Sequence, residues 1–556
     1  HYTEAHNNLG VTLQDQGKLL EAEVSYKQGI TLNPQYADAY YNLANTLQEQ
    51  DNFEDAKVRY RQVIIFKPNH SEAHNNLGVA LQELCCFEEA ESSVRQSLVL
   101  KPDYVEAQNN LALILQELGK QTQSQSIYSL MLKSKSEPIS TKEERPVIAL
   151  VPFGRSGSLF FHSLIDGHPE VATIPGVYFK GWFGIECWRK LAPDYSKSRW
   201  REDLAAKVVR EFQPLFDAQC RSNVIGKPIR KTNWLAKNLG FTNMGPVGSQ
   251  SFLVDENAFY QEFVNLLYSI STVGISECFE LIHQAFEISI RNSNSPSSSE
   301  AAIIFYHIHN PNPYEHLHFL KHYPTARFLQ VIRNPLQSME SWMLASPGGL
   351  VTGDMNHKFT YIQSIKEWRE IVSKILTMFH QILYPLNNPS RSYGIRLEDI
   401  KRSPQALMPR IAAWMGINDD AELYQSSFCG LQYWGPTSRT GKITGFDTKA
   451  IDKPVGRLLG DRDILIFETL FWPLSRRYGY TEEDSEGFRQ RLVEIRPWLD
   501  SPLEFEHRFY EKIEDHHFPI HTLDPYIRLH QFMLLLWKTL DRDETYRGIP
   551  KYLECR

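Results

Sequence analysis

The stretch VPFGRSGSLFFHSLIDGHP, residues 151–169, sets one guanidinium (Arg155), two hydroxyls (Ser156 and Ser158) and two glycines (Gly154 and Gly157) between an apolar run and a helical apolar pattern. Backbone N–H groups at a helix start point at an anion, and the glycines permit the tight turn that brings them together. Those residue types at that spacing form a phosphate cradle. A second stretch, TARFLQVIRNPLQSMESW at 325–342, places Arg333 eight positions before Ser341. A guanidinium matches phosphate oxygens bidentately, and a serine one or two helical turns on reaches the same group. A third, IIFYHIHNPNPYEHLHFL at 303–320, ends a strand pattern in His307 and His309. An imidazole that titrates near pH 6.5 suits removal of a proton from a hydroxyl. The same pair also reads as a zinc site or as two half-buried histidines. His316, His318 and His322 follow in a helical pattern without a cysteine pair.

These groups need strands to hold them. Ile148 to Val151, Ile303 to Tyr306 and the apolar part of 325–332 read as buried strands, each followed by a turn and a helix. That alternation reads as strand-turn-helix units of an α/β domain. The loop is not Walker A, because Gly157-Ser158-Leu159 stands where Gly-Lys-Ser/Thr is required, so an ATPase is disfavoured.

The loop resembles the sulfotransferase signature Pro-Arg/Lys-Ser-Gly-Thr-Thr, with Gly154, Ser158 and Leu159 as departures. The resemblance implies a phosphoadenosine phosphosulfate (PAPS) donor gripped by Arg155, Ser156, Gly157 and Ser158. Arg333 and Ser341 match the family's 3′-phosphate motif. Tyr393 to Ile417 looks like its strand, acidic turn and helix. Arg439 and Lys442 in SRTGKITGF, 438–446, match its late basic loop. Cytosolic sulfotransferases carry Lys-Thr-His-Leu-Pro where this chain has His307-Ile308-His309-Asn310-Pro311, which implies His309 as base and His307 in the lysine's place. Protein-tyrosine sulfotransferases use a glutamate soon after the first helix; residues 171–184 contain none, and Glu170 and Glu186 flank them. Lys180 in that segment is a candidate for the sulfuryl oxygens. The resemblance spans residues 145–480, implies a three-layer α/β domain with a P-loop-like parallel sheet, and needs no metal.

Residues 1–136 repeat every 34 positions. Leu9, Leu43, Leu77 and Leu111 share one column; Gly10, Ala44, Gly78 and Ala112 share the next; Pro34, Pro68 and Pro102 close units. The period and columns are those of tetratricopeptide helix pairs, an α-solenoid. Asn8, Asn42, Asn76 and Asn110 form a polar column on the first helices. It resembles the asparagine ladder of O-GlcNAc transferase solenoids, which implies capture of a peptide backbone by amide donors and acceptors.

A net charge of −7 gives no case for nucleic acid, and no run of 18 apolar residues is present to span a membrane. Seven scattered cysteines fit a reducing, cytoplasmic setting. His1 begins inside the repeat register, so upstream sequence is expected. Residues 481–556 read as a helical C-terminal extension with no chemistry assigned, and the oligomeric state is not encoded in any motif. The expected protein is a solenoid feeding a sulfotransferase that acts on a peptide or protein hydroxyl. A glycan or small-molecule acceptor, and an inactive scaffold, are the alternatives.

Overall fold

The computed structural model describes residues 2–50, 52–84, 86–134, 145–154, 156–218, 239–294, 301–308, 313–344, 365–383, 389–435, 445–507, 524–541 and 551–553. Arg155, His309, Arg439 and Lys442 lie outside them. The chain divides into two compact units, one of residues 1–136, 361–376 and 498–536, the other of 137–360, 377–497 and 537–556. Among the described residues no helix is long and apolar enough to cross a membrane.

The first unit opens with helix pairs: α1 (Tyr2–Asp15) and α2 (Leu19–Leu32), α3 (Ala37–Glu49) and α4 (Phe53–Phe66), α5 (Ser71–Glu83) and α6 (Phe87–Leu100), α7 (Val105–Glu117) and α8 (Gln121–Ser134). The periodic columns explain the packing. A Cβ on Gly10 would stand 2.5 Å from the Tyr26 ring, and one on Gly78 only 2.2 Å from Val94 Cγ2. The glycines therefore make room for the large residue of the second helix. Tyr26, Tyr60 and Val94 are fully buried there, and the tyrosine hydroxyls are satisfied by Gln14 in one repeat and by Asn45 and Gln48 in the next.

The second unit is built on a six-stranded sheet in the order β2-β3-β1-β4-β5-β8, with every neighbouring pair parallel. The strands are β1 (Val147–Pro152), β2 (Val171–Thr173), β3 (Ile303–His307), β4 (Arg327–Ile332), β5 (Ser392–Arg396) and β8 (Lys551–Tyr552); β6 (Ser427–Phe428) and β7 (Leu431–Gln432) form a separate hairpin. All six residues of β1 are buried, as a sheet covered on both faces requires. Val147, Ala149 and Val151 join one apolar cluster, whereas Ile148 and Leu150 join another on the opposite face. The chain is thus a solenoid followed by a layered α/β unit with a parallel sheet, as the pattern and the resemblance imply. The expected acidic turn after β5 is instead a short helix, Leu397–Arg402. Strand order places β1 between β3 and β4, so the cradle, the histidine strand and the Arg333 strand are neighbours whose C-terminal ends converge.

Candidate active site

β1 runs into Phe153 and Gly154, and the helix α9 (Ser158–Ile165) starts directly after Gly157. Gly154 (φ 56°) and Gly157 (φ 80°) are both left-handed, a conformation that side chains resist. Space forbids side chains there as well. A Cβ on Gly154 would meet Ser338 Oγ at 2.7 Å, and one on Gly157 would meet Leu397 Cδ1 at 2.7 Å. The Phe153 N–H donates to Ser156 Oγ (3.3 Å), and Ser338 Oγ donates to the Phe153 carbonyl (3.1 Å). Ser156 is fully buried, so its oxygen braces the turn from inside, and Ser158 is nearly so.

Arg333 leaves the end of β4 and is 5% exposed; its Nε donates to Gln337 Oε1 at 3.2 Å. The next helix, α10 (Pro335–Met343), is capped by Asn334, whose side chain accepts from Gln337 N at 3.1 Å, with proline at the first turn. Ser341 is half-buried on this helix. Ser338, one turn earlier, is fully buried and touches the glycine loop, a role the sequence reading gave to neither serine.

Lys401, also missed, sits on α11 (Leu397–Arg402) beyond β5 and is 7% exposed. Its Nζ donates to the Gly445 carbonyl (2.8 Å) and lies 4.0 Å over the Phe160 ring of α9. Phe160 also meets Phe446 edge-on at 5.6 Å. These contacts pin residues 445–446, which follow Arg439 and Lys442 in the sequence, onto the helix of the phosphate cradle. Burial pulls the Lys401 ammonium down to about 8, with Asp447 opposing and the Arg333 charge adding to the shift.

His307 closes β3 opposite Leu150 and is fully buried. Its Nδ1 lies 3.4 Å from Nδ1 of His162 on α9, and His162 Nε2 lies 2.6 Å from Thr173 Oγ1. Thr173 gives its hydroxyl proton to the Phe305 carbonyl at 2.9 Å, so its oxygen accepts from His162 Nε2–H. His162 Nδ1 is then an acceptor and His307 Nδ1 carries a proton, by assignment from the hydrogen-bond pattern. Burial, with His283 nearby, pushes His162 to about 3 and keeps it neutral. The imidazole of His307 is therefore held in the layer between β3 and α9. His316, His318 and His322 are buried among rings, with His316 stacked on Phe328 and His318 Nδ1 2.8 Å from the Phe183 carbonyl oxygen. No group of three or more metal-binding side chains occurs among the described residues.

Lys180 is exposed. Glu170 accepts from the Asn418 N–H (2.7 Å) and from its side-chain amide (3.0 Å). The carboxylate that segment 171–184 lacks is brought to it in space by Glu315, whose Oε1 accepts from the Gly181 N–H at 3.0 Å and whose pKa is raised, chiefly by burial. At the far end of α9, Asp166 accepts from the Cys429 N–H (2.7 Å) and ties the helix to the β6-β7 hairpin. In the first unit the asparagine column is bonded from repeat to repeat: Asn42 donates to Asn7 (2.9 Å), Asn76 to Tyr41 (3.2 Å) and Asn45 (3.1 Å), and Asn110 to Asn75 (2.9 Å). Asn8 is exposed.

The Sulfotransferase family description matches residues 146–421, and the Tetratricopeptide repeat description matches residues 13–83. No curated protein matches the chain. Solved structures similar to it include MamA, at 21% identity over 24% of this chain and 77% of that one with a TM-score of 0.23. Pseudomonas aeruginosa pilF is 23% identical over 25% of this chain and 63% of that one, TM-score 0.23. A Thermobaculum terrenum O-GlcNAc transferase mutant is 19% identical over 30% of this chain and 35% of that one, TM-score 0.26. With its cradle, its strand-end arginine and its helix pairs, the chain is a tetratricopeptide-repeat protein carrying a domain of the sulfotransferase family.

Proposed function

We propose that this protein transfers the sulfuryl group of PAPS to a hydroxyl of a peptide or protein acceptor held by the repeats. One observation carries the donor side: Ser338, from the same helix that Arg333 precedes, donates to the Phe153 carbonyl at the entry to the glycine turn. Gly154 and Gly157 hold the turn in left-handed backbone packed against Ser338 and Leu397, and a turn of that kind before a helix start fits backbone N–H groups offered to phosphate oxygens. Repeats of this kind favour protein–protein interaction, which puts a protein acceptor ahead of a glycan.

The acceptor oxygen attacks sulfur in line, the sulfur–oxygen bond to the 5′-phosphate breaks, and adenosine 3′,5′-bisphosphate departs. Loop amides, Ser158 and Arg155 take up the charge that grows on the leaving phosphate. Arg333 and Ser341 hold the 3′-phosphate, while Arg439 and Lys442 close over the nucleotide from the segment that Lys401 anchors. His309 receives the acceptor's proton. His307, through its contact with His162, holds the end of β3 against α9, the helix that follows the glycine turn.

Calorimetry of adenosine 3′,5′-bisphosphate with the wild type and with Arg333→Ala tests the reading without knowledge of the acceptor. Binding that is lost in the variant supports it. A folded wild type that does not bind the bisphosphate overturns it.

A further inference from the structure

The four first helices, α1, α3, α5 and α7, contain eight acidic residues and no lysine or arginine. They stand in two rows at the repeat spacing: Glu4, Asp38, Glu72 and Glu106 near the helix starts, and Asp15, Glu49, Glu83 and Glu117 at the helix ends. Two residues of the first row are answered within the repeats: Lys67 reaches Asp38 at 2.6 Å and Lys101 reaches Glu72 at 3.5 Å. The second row is answered differently. Gln14 donates to Glu49 at 2.6 Å, and a residue from far along the chain takes the other end: Arg528, on α12 (Asp524–Asp541), lies 2.6 Å from Glu117 and 3.9 Å from Glu83.

That arginine is independent of the repeat sequence, 411 positions from Glu117. Its side chain is 18% exposed and that of Glu117 only 5%. One guanidinium spanning two successive repeats shows that neighbouring rungs of this row are spaced to share a cation. Asp15 and Glu49, the two rungs before them, are exposed. Asn42, Asn76 and Asn110, between the rows, each give a donor to the preceding repeat, and charge is the feature by which this surface distinguishes one extended partner from another.

We propose that the row Asp15, Glu49, Glu83 and Glu117 docks a basic peptide segment, arginine or lysine side chains seating on successive rungs, and that Arg528 is the chain's own occupant of the last two. The proposal rests on the reading of the repeats as the acceptor-binding unit and gives that acceptor a chemistry: cationic residues flank the hydroxyl that receives the sulfuryl group. Exposed charge pairs contribute modestly, so each rung changes affinity by about two- to fivefold, and salt weakens the whole.

The test uses the full chain and two fluorescein-labelled octapeptides, a Gly-Arg repeat and a Gly-Glu repeat, followed by anisotropy at low and high salt. The Arg peptide binds and the Glu peptide does not. The double variant Asp15→Asn/Glu49→Gln, at two exposed positions, weakens the Arg peptide, whereas Arg528→Gln strengthens it by releasing Glu83 and Glu117. Equal binding of the two peptides, or affinity unmoved in both variants, overturns the proposal. Calorimetry of adenosine 3′,5′-bisphosphate on the same proteins separates the two readings: a wild type that takes the Arg peptide but not the bisphosphate keeps the basic-peptide row and removes the sulfotransferase reading. One that takes the bisphosphate but discriminates between neither peptide does the reverse.

Discussion

Asp166→Asn isolates a single buried carboxyl at the end of the cradle helix. Asp166 is 4% exposed, and its side chain accepts the Cys429 N–H at 2.7 Å. Burial, reinforced by the Glu422 charge and opposed by that hydrogen bond, pushes its pKa from 3.8 up to about 7. A carboxyl raised on folding binds its proton more tightly in the native than in the unfolded state. Stability is therefore complete below about pH 4 and is lost as pH rises toward 7, by at most about 4 kcal/mol at 1.36 kcal/mol per pH unit. Asparagine keeps an acceptor for Cys429 and carries no charge. The assay is urea unfolding of both proteins between pH 4.5 and 8.5, read as the difference in unfolding free energy, which cancels groups common to both. The variant gains on the wild type through this window and levels off above about pH 8. A difference that is flat from end to end, or that grows toward acid, refutes the account of Asp166 as a carboxyl held protonated by its surroundings.

Gly157→Ala forces a side chain into a left-handed position 2.7 Å from Leu397 Cδ1; it costs on the order of 1–3 kcal/mol in stability and abolishes bisphosphate binding, as chemical unfolding and calorimetry would record. Lys401→Met releases residues 445–446 and weakens adenosine bisphosphate; because burial brings the Lys401 pKa to about 8, wild-type affinity falls as pH rises past it, while Lys401→Arg, charged throughout, binds with less pH dependence in the same titration. Asn42→Ala, Asn76→Ala and Asn110→Ala each remove an inter-repeat hydrogen bond and lower solenoid stability by about 0.5–1.5 kcal/mol, measured by urea unfolding, with no change in bisphosphate affinity.

The repeats were legible because the packing rule is local. A small residue in one helix and a large one sixteen positions later in its partner, Gly10 with Tyr26 and Gly78 with Val94, form a contact that the 34-residue period states outright. The strands were legible because a sheet covered on both faces needs apolar runs: β1 is one throughout, β3 is one up to His307, and β4 is broken only by Arg327 and Gln330. What eluded the sequence are partners set by the third dimension. Lys401 and Gly445 are 44 residues apart, and nothing in RLEDIK says that its lysine turns back over Phe160. Ser338 and Ser341 are equivalent on paper; only the direction from which α10 meets the glycine loop distinguishes them.

The asparagine column shows the same limit from the opposite side. Its recurrence every 34 residues reads as a ladder for a peptide ligand, and Asn42, Asn76 and Asn110 each also donate to the residue 35 positions before, on the preceding first helix. A column invariant in type is what such repeat-to-repeat bonding requires, because every rung must fit the one before it. Periodicity therefore reports that a position is constrained without saying by what. The acidic row carries the same ambiguity, but Arg528 lies across Glu83 and Glu117. A partner from outside the period separates a surface that binds from one that only repeats: internal bonding recurs with the repeat, while an occupant contributed by a distant segment does not.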